Sequence, residues 1–242
     1  MIACLPMYDW PELRTAHDAF WQDTGTRLRA SGIASPASLS RSGNDESHWL
    51  DPDLLLGQTC GYPLSTALAG KVRYLATPVY NVTGCNGPYY SSAIVVRKDS
   101  PLTMENWQGG CFAFNSVMSL SGYRSIKALV GPPETFFTNV RASGGHRNSA
   151  RMVANGEADL AALDAVCWHL LQQFEPDTAA MLKIIGWTEQ RPALPLITSL
   201  ATTLTTIDKI REVLSDISPP AALAITGFEI MNVAEYDRLA AL

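Results

Sequence analysis

Residues 53–63 read DLLLGQTCGYP, and this stretch decides the fold class. Its three leucines, at positions 54–56, form a short apolar run between turn-forming residues, which is typical of a buried strand. Residues 58–63 form a turn that leads into a predicted helix over residues 64–69. An apolar strand that runs directly into a helix indicates a sheet with helices packed on its faces. The stretch therefore predicts an α/β fold.

The same order of strand, turn and helix recurs along the chain. Residues 1–6 are a predicted strand, followed by a helix that begins near Pro11 and ends at Ser31 and Gly32. Proline suits the first turn of a helix, and glycine commonly ends one. Further strands are predicted at residues 72–80, 89–96, 111–115, 139–142, 159–163 and 182–187, and further helices at 207–214 and 234–242. This order predicts mostly parallel sheets flanked by helices.

The composition excludes several classes of protein. The chain has 242 residues, of which 47% are hydrophobic and 17% charged, so it can form one or two globular domains. Its net charge of −5 argues against a nucleic-acid partner and against a basic membrane-binding surface. The longest uncharged stretch, residues 74–96, contains prolines and glycines, so no insertion into a membrane is predicted.

The five cysteines do not form a metal-binding pattern. They include no C-x-x-C pair, and the histidines lack metal-like spacing, so no metal site is predicted. Buried thiols are one interpretation of these residues. Cys60 and Cys85, however, lie in glycine-rich turns, and a disulfide between them would fit an exported protein. Residues 1–7 lack the features of a signal peptide, so we expect either a cytoplasmic protein or one whose leader was removed.

Four strand-to-helix turns carry small or hydroxylic residues, at residues 8–9, 58–62, 115–122 and 143–146. Such turns lie at the carboxyl ends of strands, and a helix N-terminus offers unpaired N–H groups to an anion. In the third turn, Ser119 and Ser121 could bind an oxyanion, or they could simply cap the following helix. His146, in the fourth turn, could donate to the same anion. Asp164 ends a strand and could contact a cationic or hydroxyl group of the ligand, or cap a helix.

Enzyme motifs are absent from the sequence. It contains no P-loop, and none of the patterns G-x-G-x-x-G, H-E-x-x-H or G-x-S-x-G. Cys60 and His146 could form a thiol–imidazole pair, but no third residue is evident that would orient the histidine. The sequence therefore predicts neither catalysis nor a cofactor.

The chain resembles the substrate-binding proteins of phosphate, phosphite and phosphonate importers of the ABC type, which have the type 2 periplasmic-binding-protein fold. The resemblance rests on residues 53–63, 119–123, 145–146 and 153–162 and covers most of the chain. It implies two lobes with a ligand cleft between them. Lobe 1 would comprise residues 1–92 and 187–242, and lobe 2 residues 93–186.

The resemblance also implies roles for individual residues. Ser119, Leu120 and Ser121 stand where the family has a Ser-Thr-Ser phosphonate loop, His146 where it has a phosphonate-contacting histidine, and Asp164 where it has an acidic residue. Leu120 lacks the middle hydroxyl of that loop, so a small carboxylate is an alternative to a phosphorus oxyanion. The turns and aromatic segments on the other walls of the cleft contribute Tyr8, Thr59, Tyr62, Tyr90 and Ser91.

The resemblance implies a monomeric solute-binding protein that closes on a small anion by hinge motion and delivers it to an ABC-type membrane permease. Its location would be periplasmic if a leader has been removed. A cytoplasmic sensor of a metabolite, or an enzyme that shares the fold, are the alternatives.

Overall fold

The structure is a computed structural model that describes residues 1–42 and 45–242, and it divides the chain into two compact units. Unit 1 comprises Met1–Asn81, Asn86–Pro88 and Pro192–Ala241. Unit 2 comprises Val82–Cys85, Tyr89–Arg191 and Leu242. The predicted lobe 1, residues 1–92 and 187–242, differs from unit 1 because residues 82–85, 89–92, 187–191 and 242 belong to unit 2.

The strands, in chain order, are β1 Ile2–Cys4, β2 Leu54–Gln58, β3 Val72–Tyr80, β4 Cys85–Asn86, β5 Tyr89–Tyr90, β6 Ser92–Arg97, β7 Cys111–Phe114, β8 Asn139–Ala142, β9 Leu160–Asp164, β10 Leu182–Trp187, β11 Arg191–Pro192, β12 Leu196–Ser199 and β13 Ile225–Glu229. The helices are α1 Arg14–Ala30, α2 Asp45–Trp49, α3 Gly61–Ser65, α4 Ser125–Val130, α5 Pro133–Phe136, α6 His146–Ala154, α7 Ala165–Phe174, α8 Pro176–Ala180, α9 Leu204–Asp216 and α10 Ala234–Asp237. Single turns of 3₁₀-helix lie at Pro11–Leu13, Ala221–Leu223 and Arg238–Ala241, and one π-helical turn lies at Leu120–Arg124.

Unit 1 is built on a sheet with the strand order β1-β2-β12-β3-β13. β1 and β2 are parallel, whereas β12 runs antiparallel to both β2 and β3, and β13 runs antiparallel to β3. The α/β class is confirmed, but this sheet is mixed and not mostly parallel. The antiparallel strand β12 enters the sheet between two earlier strands, after the chain has passed through unit 2.

Unit 2 is built on a sheet with the strand order β10-β6-β9-β7-β8. β7 is parallel to β8 and β9, but β6 is antiparallel to both β9 and β10. This sheet is also mixed, so the prediction of mostly parallel strands is wrong here as well. Its parallel part, β8-β7-β9, brings the carboxyl ends of three strands to one edge.

Helix and strand limits differ locally from the prediction. The helix predicted over residues 64–69 lies instead at α3, Gly61–Ser65, because Cys60 is extended and Pro63 is tolerated in the first turn. The strand predicted over residues 89–96 is divided at Ser91 into β5 and β6. The helix predicted over residues 234–242 consists of α10 and a 3₁₀ turn.

A buried tyrosine anchors the last helix of unit 1. The side chain of Tyr236, in α10, is 0% exposed. Its hydroxyl lies 2.6 Å from Thr77 Oγ1 and donates to the Ala193 carbonyl at 2.7 Å. Thr77 Oγ1 lies 2.8 Å from the hydroxyl of Tyr74, whose ring centroid is 5.6 Å from that of Tyr236. The network fixes α10 on β3.

The core of unit 2 supports β7. Phe112 is fully buried and stacks on Phe137, with ring centroids 5.0 Å apart. Phe114, at the end of β7, packs edge-on against Tyr123 at the same distance of 5.0 Å. These contacts hold the turn that follows β7, because Tyr123 belongs to that turn.

Within the described part of the chain, no helix has both the length and the apolar character that a bilayer crossing requires.

Candidate functional site

The turn after β7 is capped by a serine. Ser119 is extended, with φ −75° and ψ 125°, and its Oγ accepts a hydrogen bond from the Gly122 N–H at 3.0 Å. Its carbonyl accepts from the N–H groups of Tyr123 and Arg124, at 3.3 and 3.0 Å, which is why the turn begins with a wide π-helical loop. The capping interpretation of Ser119 is therefore confirmed.

The same turn directs Ser121 to His146. Ser121 Oγ lies 2.9 Å from His146 Nε2 and 3.4 Å from Ser119 Oγ. His146 is the first residue of α6, and its Nδ1 lies 3.2 Å from the Ala162 carbonyl oxygen in β9. Because a carbonyl oxygen can only accept, Nδ1 carries a proton. The orientation of the imidazole is thus fixed from its Nδ1 side.

Asp164 caps one helix and faces the imidazole. It is the last residue of β9, and its Oδ1 accepts from the Cys167 N–H at 2.7 Å. Its Oδ2 lies 3.5 Å from His146 Nε2, and both side chains are less than a tenth exposed. The capping interpretation is confirmed here too. The remaining carboxylate oxygen faces a histidine.

Burial sets the protonation states around Asp164. Desolvation lowers the pKa of His146, and the nearby carboxylate of Asp164 and the Ala162 hydrogen bond only partly oppose this effect. Desolvation also raises the pKa of Cys85 to about 12, with a further contribution from Asp164. The pKa of the Cys167 thiol is raised for the same two reasons. Around neutral pH the unliganded site therefore holds a neutral imidazole and neutral thiols.

Gly122 permits the close packing of the site. A Cβ at this position would overlap Asn115 Oδ1 and would lie 2.8 Å from Asn115 Cγ and 3.3 Å from His146 Cε1. A glycine is therefore required for Asn115 and His146 to approach the turn. Asn115 is a site residue that the sequence reasoning missed, although it opens the turn after β7. Its buried Oδ1 has no hydrogen-bond partner among the described residues.

Four of the predicted site residues therefore come together in unit 2, namely Ser119, Ser121, His146 and Asp164. Ser91 lies beside them, because its carbonyl accepts from the Ala165 N–H, next to Asp164, at 3.0 Å. Leu120 is different, because its side chain is fully buried and belongs to the core.

The other residues predicted to bind the ligand are three tyrosines and a threonine. Tyr90 is buried in β5 of unit 2. Tyr8, Thr59 and Tyr62 belong to unit 1. Tyr8 is buried and packs edge-on against Tyr80, with ring centroids 5.5 Å apart, and Thr59 is 0% exposed. Their roles in binding stay predictions.

The predicted disulfide is absent. Within residues 1–42 and 45–242, which include all five cysteines, no disulfide forms. Cys60 belongs to unit 1 and Cys85 to unit 2.

Comparison with solved structures shows the fold. PhnD1 of Prochlorococcus marinus in complex with methylphosphonate is 13% identical, with a TM-score of 0.76 over 99% of this chain and 95% of that chain. A protein of Xanthomonas citri bound to a chloride ion is 17% identical, with a TM-score of 0.75 over 100% of this chain and 96% of that chain. A binding-protein component of an ABC phosphonate transporter from Pseudomonas aeruginosa is 17% identical, with a TM-score of 0.72 over 94% and 80%. These likenesses confirm the predicted periplasmic-binding-protein fold.

Comparison of sequences shows the family. No curated protein matches the chain. Residues 53–238, however, match the family described as "ABC transporter, phosphonate, periplasmic substrate-binding protein". This family consists of transporter binding proteins and not of enzymes, and the resemblance inferred from the sequence is confirmed. The chain belongs to the family of periplasmic substrate-binding proteins of ABC phosphonate transporters.

Proposed function

We propose that this protein binds a small tetrahedral oxyanion of the phosphonate or phosphate class at the turns of unit 2, as a periplasmic monomer that delivers the anion to an ABC-type permease. The observation that carries the proposal is the cluster of Ser119, Ser121 and His146, with successive distances of 3.4 and 2.9 Å. Hydroxyl and imidazole groups at helix N-termini are the donors that an oxyanion needs. The methylphosphonate complex of PhnD1 supports the choice of ligand class.

The loss of the middle hydroxyl at Leu120 does not remove these donors. The Leu120 side chain is fully buried, whereas Ser119 and Ser121 on either side face each other, and Ser121 also contacts His146. A carboxylate has one oxygen fewer than a phosphonate, so it would satisfy fewer of the donors. The tetrahedral oxyanion is therefore favoured over the carboxylate.

A thermal-shift panel tests the proposal. The protein, unfolded and refolded to remove any bound ligand, is mixed with methylphosphonate, phosphate, phosphite, sulfate or acetate. A ligand present at about 1,000 times its Kd stabilises the native state by about 4 kcal/mol, which is about 8–16 °C for a chain of this size. We expect a shift with methylphosphonate or phosphate and none with acetate. A flat panel, or a shift with acetate alone, would contradict the proposal.

A Ser121→Ala variant should weaken binding of the same oxyanion. Loss of a hydrogen bond to a charged group costs about 1.5–3 kcal/mol, which is about a 10–150-fold rise in Kd. Isothermal titration calorimetry measures the change. The matched control is Ser116→Ala, an exposed serine of the same turn, which should leave the Kd within about twofold. Wild-type affinity in Ser121→Ala would show that Ser121 does not bind the oxyanion.

A further inference from the structure

The hydrogen bonds around His146 have fixed directions. The Ala162 carbonyl accepts from Nδ1, so in the neutral imidazole Nε2 has only a lone pair. Ser121, 2.9 Å away, must therefore donate its hydroxyl proton to Nε2. At the other end, the Gly122 N–H donates to Ser119 Oγ.

In this state both serine protons are directed along the hydrogen bonds that lead to His146. Each hydroxyl has a single proton. Ser121 uses its proton in the hydrogen bond to His146 Nε2. Ser119 Oγ lies 3.4 Å from Ser121 Oγ, which can accept the proton of Ser119. The order of donation then runs from Gly122 through Ser119 and Ser121 to His146. An anion that approached this chain of hydrogen bonds would meet the lone pairs of Ser121.

Protonation of His146 Nε2 reverses the direction of its hydrogen bond with Ser121. If Nε2 is protonated, it donates to Ser121 Oγ, and the Ser121 proton becomes available to the anion. Asp164 Oδ2, 3.5 Å from Nε2, stabilises the resulting imidazolium because it carries the opposite charge. The site therefore contains both the proton acceptor, His146 Nε2, and the carboxylate of Asp164, which stabilises the charged imidazolium.

We propose that the site takes up one proton from solvent with each oxyanion it binds, and that this proton is held on Nε2 of His146. The inference rests on the proposed function. In the step, a buffer acid gives up its proton, an N–H bond forms at Nε2, and the Ser121 hydroxyl turns from Nε2 to the anion. No other covalent bond changes and no electron is transferred.

The ionisable groups near His146 include one carboxyl, two thiols and two guanidinium groups. Asp164, on β9, is the charged group that acts on the imidazole. The thiols of Cys85 and Cys167 lie close enough to Asp164 for its charge to help raise their pKa values, and both stay neutral. On α6 itself, the guanidinium groups of Arg147 and Arg151 are paired with Glu175.

The sign of the pH dependence follows from these groups. Burial holds the pKa of unliganded His146 below its usual 6.5, and bound anion raises it. Affinity is therefore highest at low pH and is lost as the pH rises through the range between the two pKa values. In that range the Kd rises about tenfold for each pH unit.

Nuclear magnetic resonance of protein labelled with ¹⁵N-histidine tests the proposal directly. The ¹⁵N shift of His146 Nε2 distinguishes a bare nitrogen from a protonated one. At pH 7.5 we expect a neutral imidazole without ligand and an imidazolium in the methylphosphonate complex. If methylphosphonate binds but Nε2 stays unprotonated in the complex, the proton-uptake inference is wrong and the proposed function still stands. Failure of both methylphosphonate and phosphate to bind at pH 6.0 would overturn the proposed function as well.

Calorimetry provides a second test, which distinguishes protonation of His146 from protonation of another group. Titrations at pH 8.5 in buffers of different ionisation enthalpy give the number of protons taken up, which we expect to be about one per methylphosphonate in the wild type. A His146→Gln variant should take up none, and the control variant, His169→Gln, should match the wild type. Uptake that persists in His146→Gln would place the proton on another group and overturn the assignment to His146.

Discussion

A Gly122→Ala variant should bind oxyanions at least about a hundredfold more weakly than the wild type, a loss of about 2.7 kcal/mol. The new methyl group would overlap Asn115 Oδ1 and lie 3.3 Å from His146 Cε1. Asn115 and His146 must then move away from the turn, and the Ser121–His146 hydrogen bond of 2.9 Å cannot survive such a movement unchanged. Overpacking of this kind also destabilises a folded protein, by about 1–3 kcal/mol.

Glycine at position 145 offers a matched control for this effect. Gly145 immediately precedes His146, its φ of −174° is extended backbone, and a Cβ there would meet nothing within 4 Å. Gly145→Ala should therefore keep the Kd within about threefold of the wild-type value. Calorimetry measures the Kd values of both variants, and thermal unfolding measures their stability. Wild-type affinity in Gly122→Ala would show that Asn115 and His146 do not need their present positions.

Tyr236→Ala should lower the free energy of unfolding of unit 1 by about 3–5 kcal/mol, as expected for removal of a large, fully buried side chain. Two effects combine at this residue. The ring fills space beside Tyr74, and the hydroxyl joins Thr77 Oγ1 to the Ala193 carbonyl. Without the ring, α10 loses its attachment to β3.

The variant Tyr236→Phe separates the two effects. It keeps the ring and removes only the hydroxyl, so we expect a loss of about 1–2 kcal/mol. Denaturant unfolding followed by circular dichroism measures both variants. Equal losses for alanine and phenylalanine would show that the hydroxyl network, and not the packing of the ring, holds the last helix.

The clustering of Ser119, His146 and Asp164 was predictable from sequence because it depends on local rules. Ser119, His146 and Asp164 each follow the end of a predicted strand, and strands that run parallel end at the same edge. Asn115 could not be identified in this way. Its importance comes from a close approach to Gly122 and from a buried oxygen without a partner among the described residues, and both depend on packing in three dimensions.

Strand direction was the main feature that the sequence did not reveal. The apolar runs at residues 54–56 and 93–96 indicate buried strands, but their partners lie far away in the chain. β12 pairs with both β2 and β3, and β6 pairs with β9 and β10. A single sequence carries periodicity but no pairing information, so the antiparallel strands were not distinguished from parallel ones.

The position of β12 has a consequence for the order of folding. β12 lies between β2 and β3, and the hydrogen bond from Thr198 to the Leu54 carbonyl joins positions 144 residues apart. The sheet of unit 1 therefore stays divided until a strand from near the end of the chain joins it, whereas unit 2 is made almost entirely from one continuous stretch, Tyr89–Arg191. Local contacts form faster than distant ones, so we expect unit 2 to acquire its sheet first. Until β12 is in place, β2 and β3 expose open strand edges, and such edges favour aggregation.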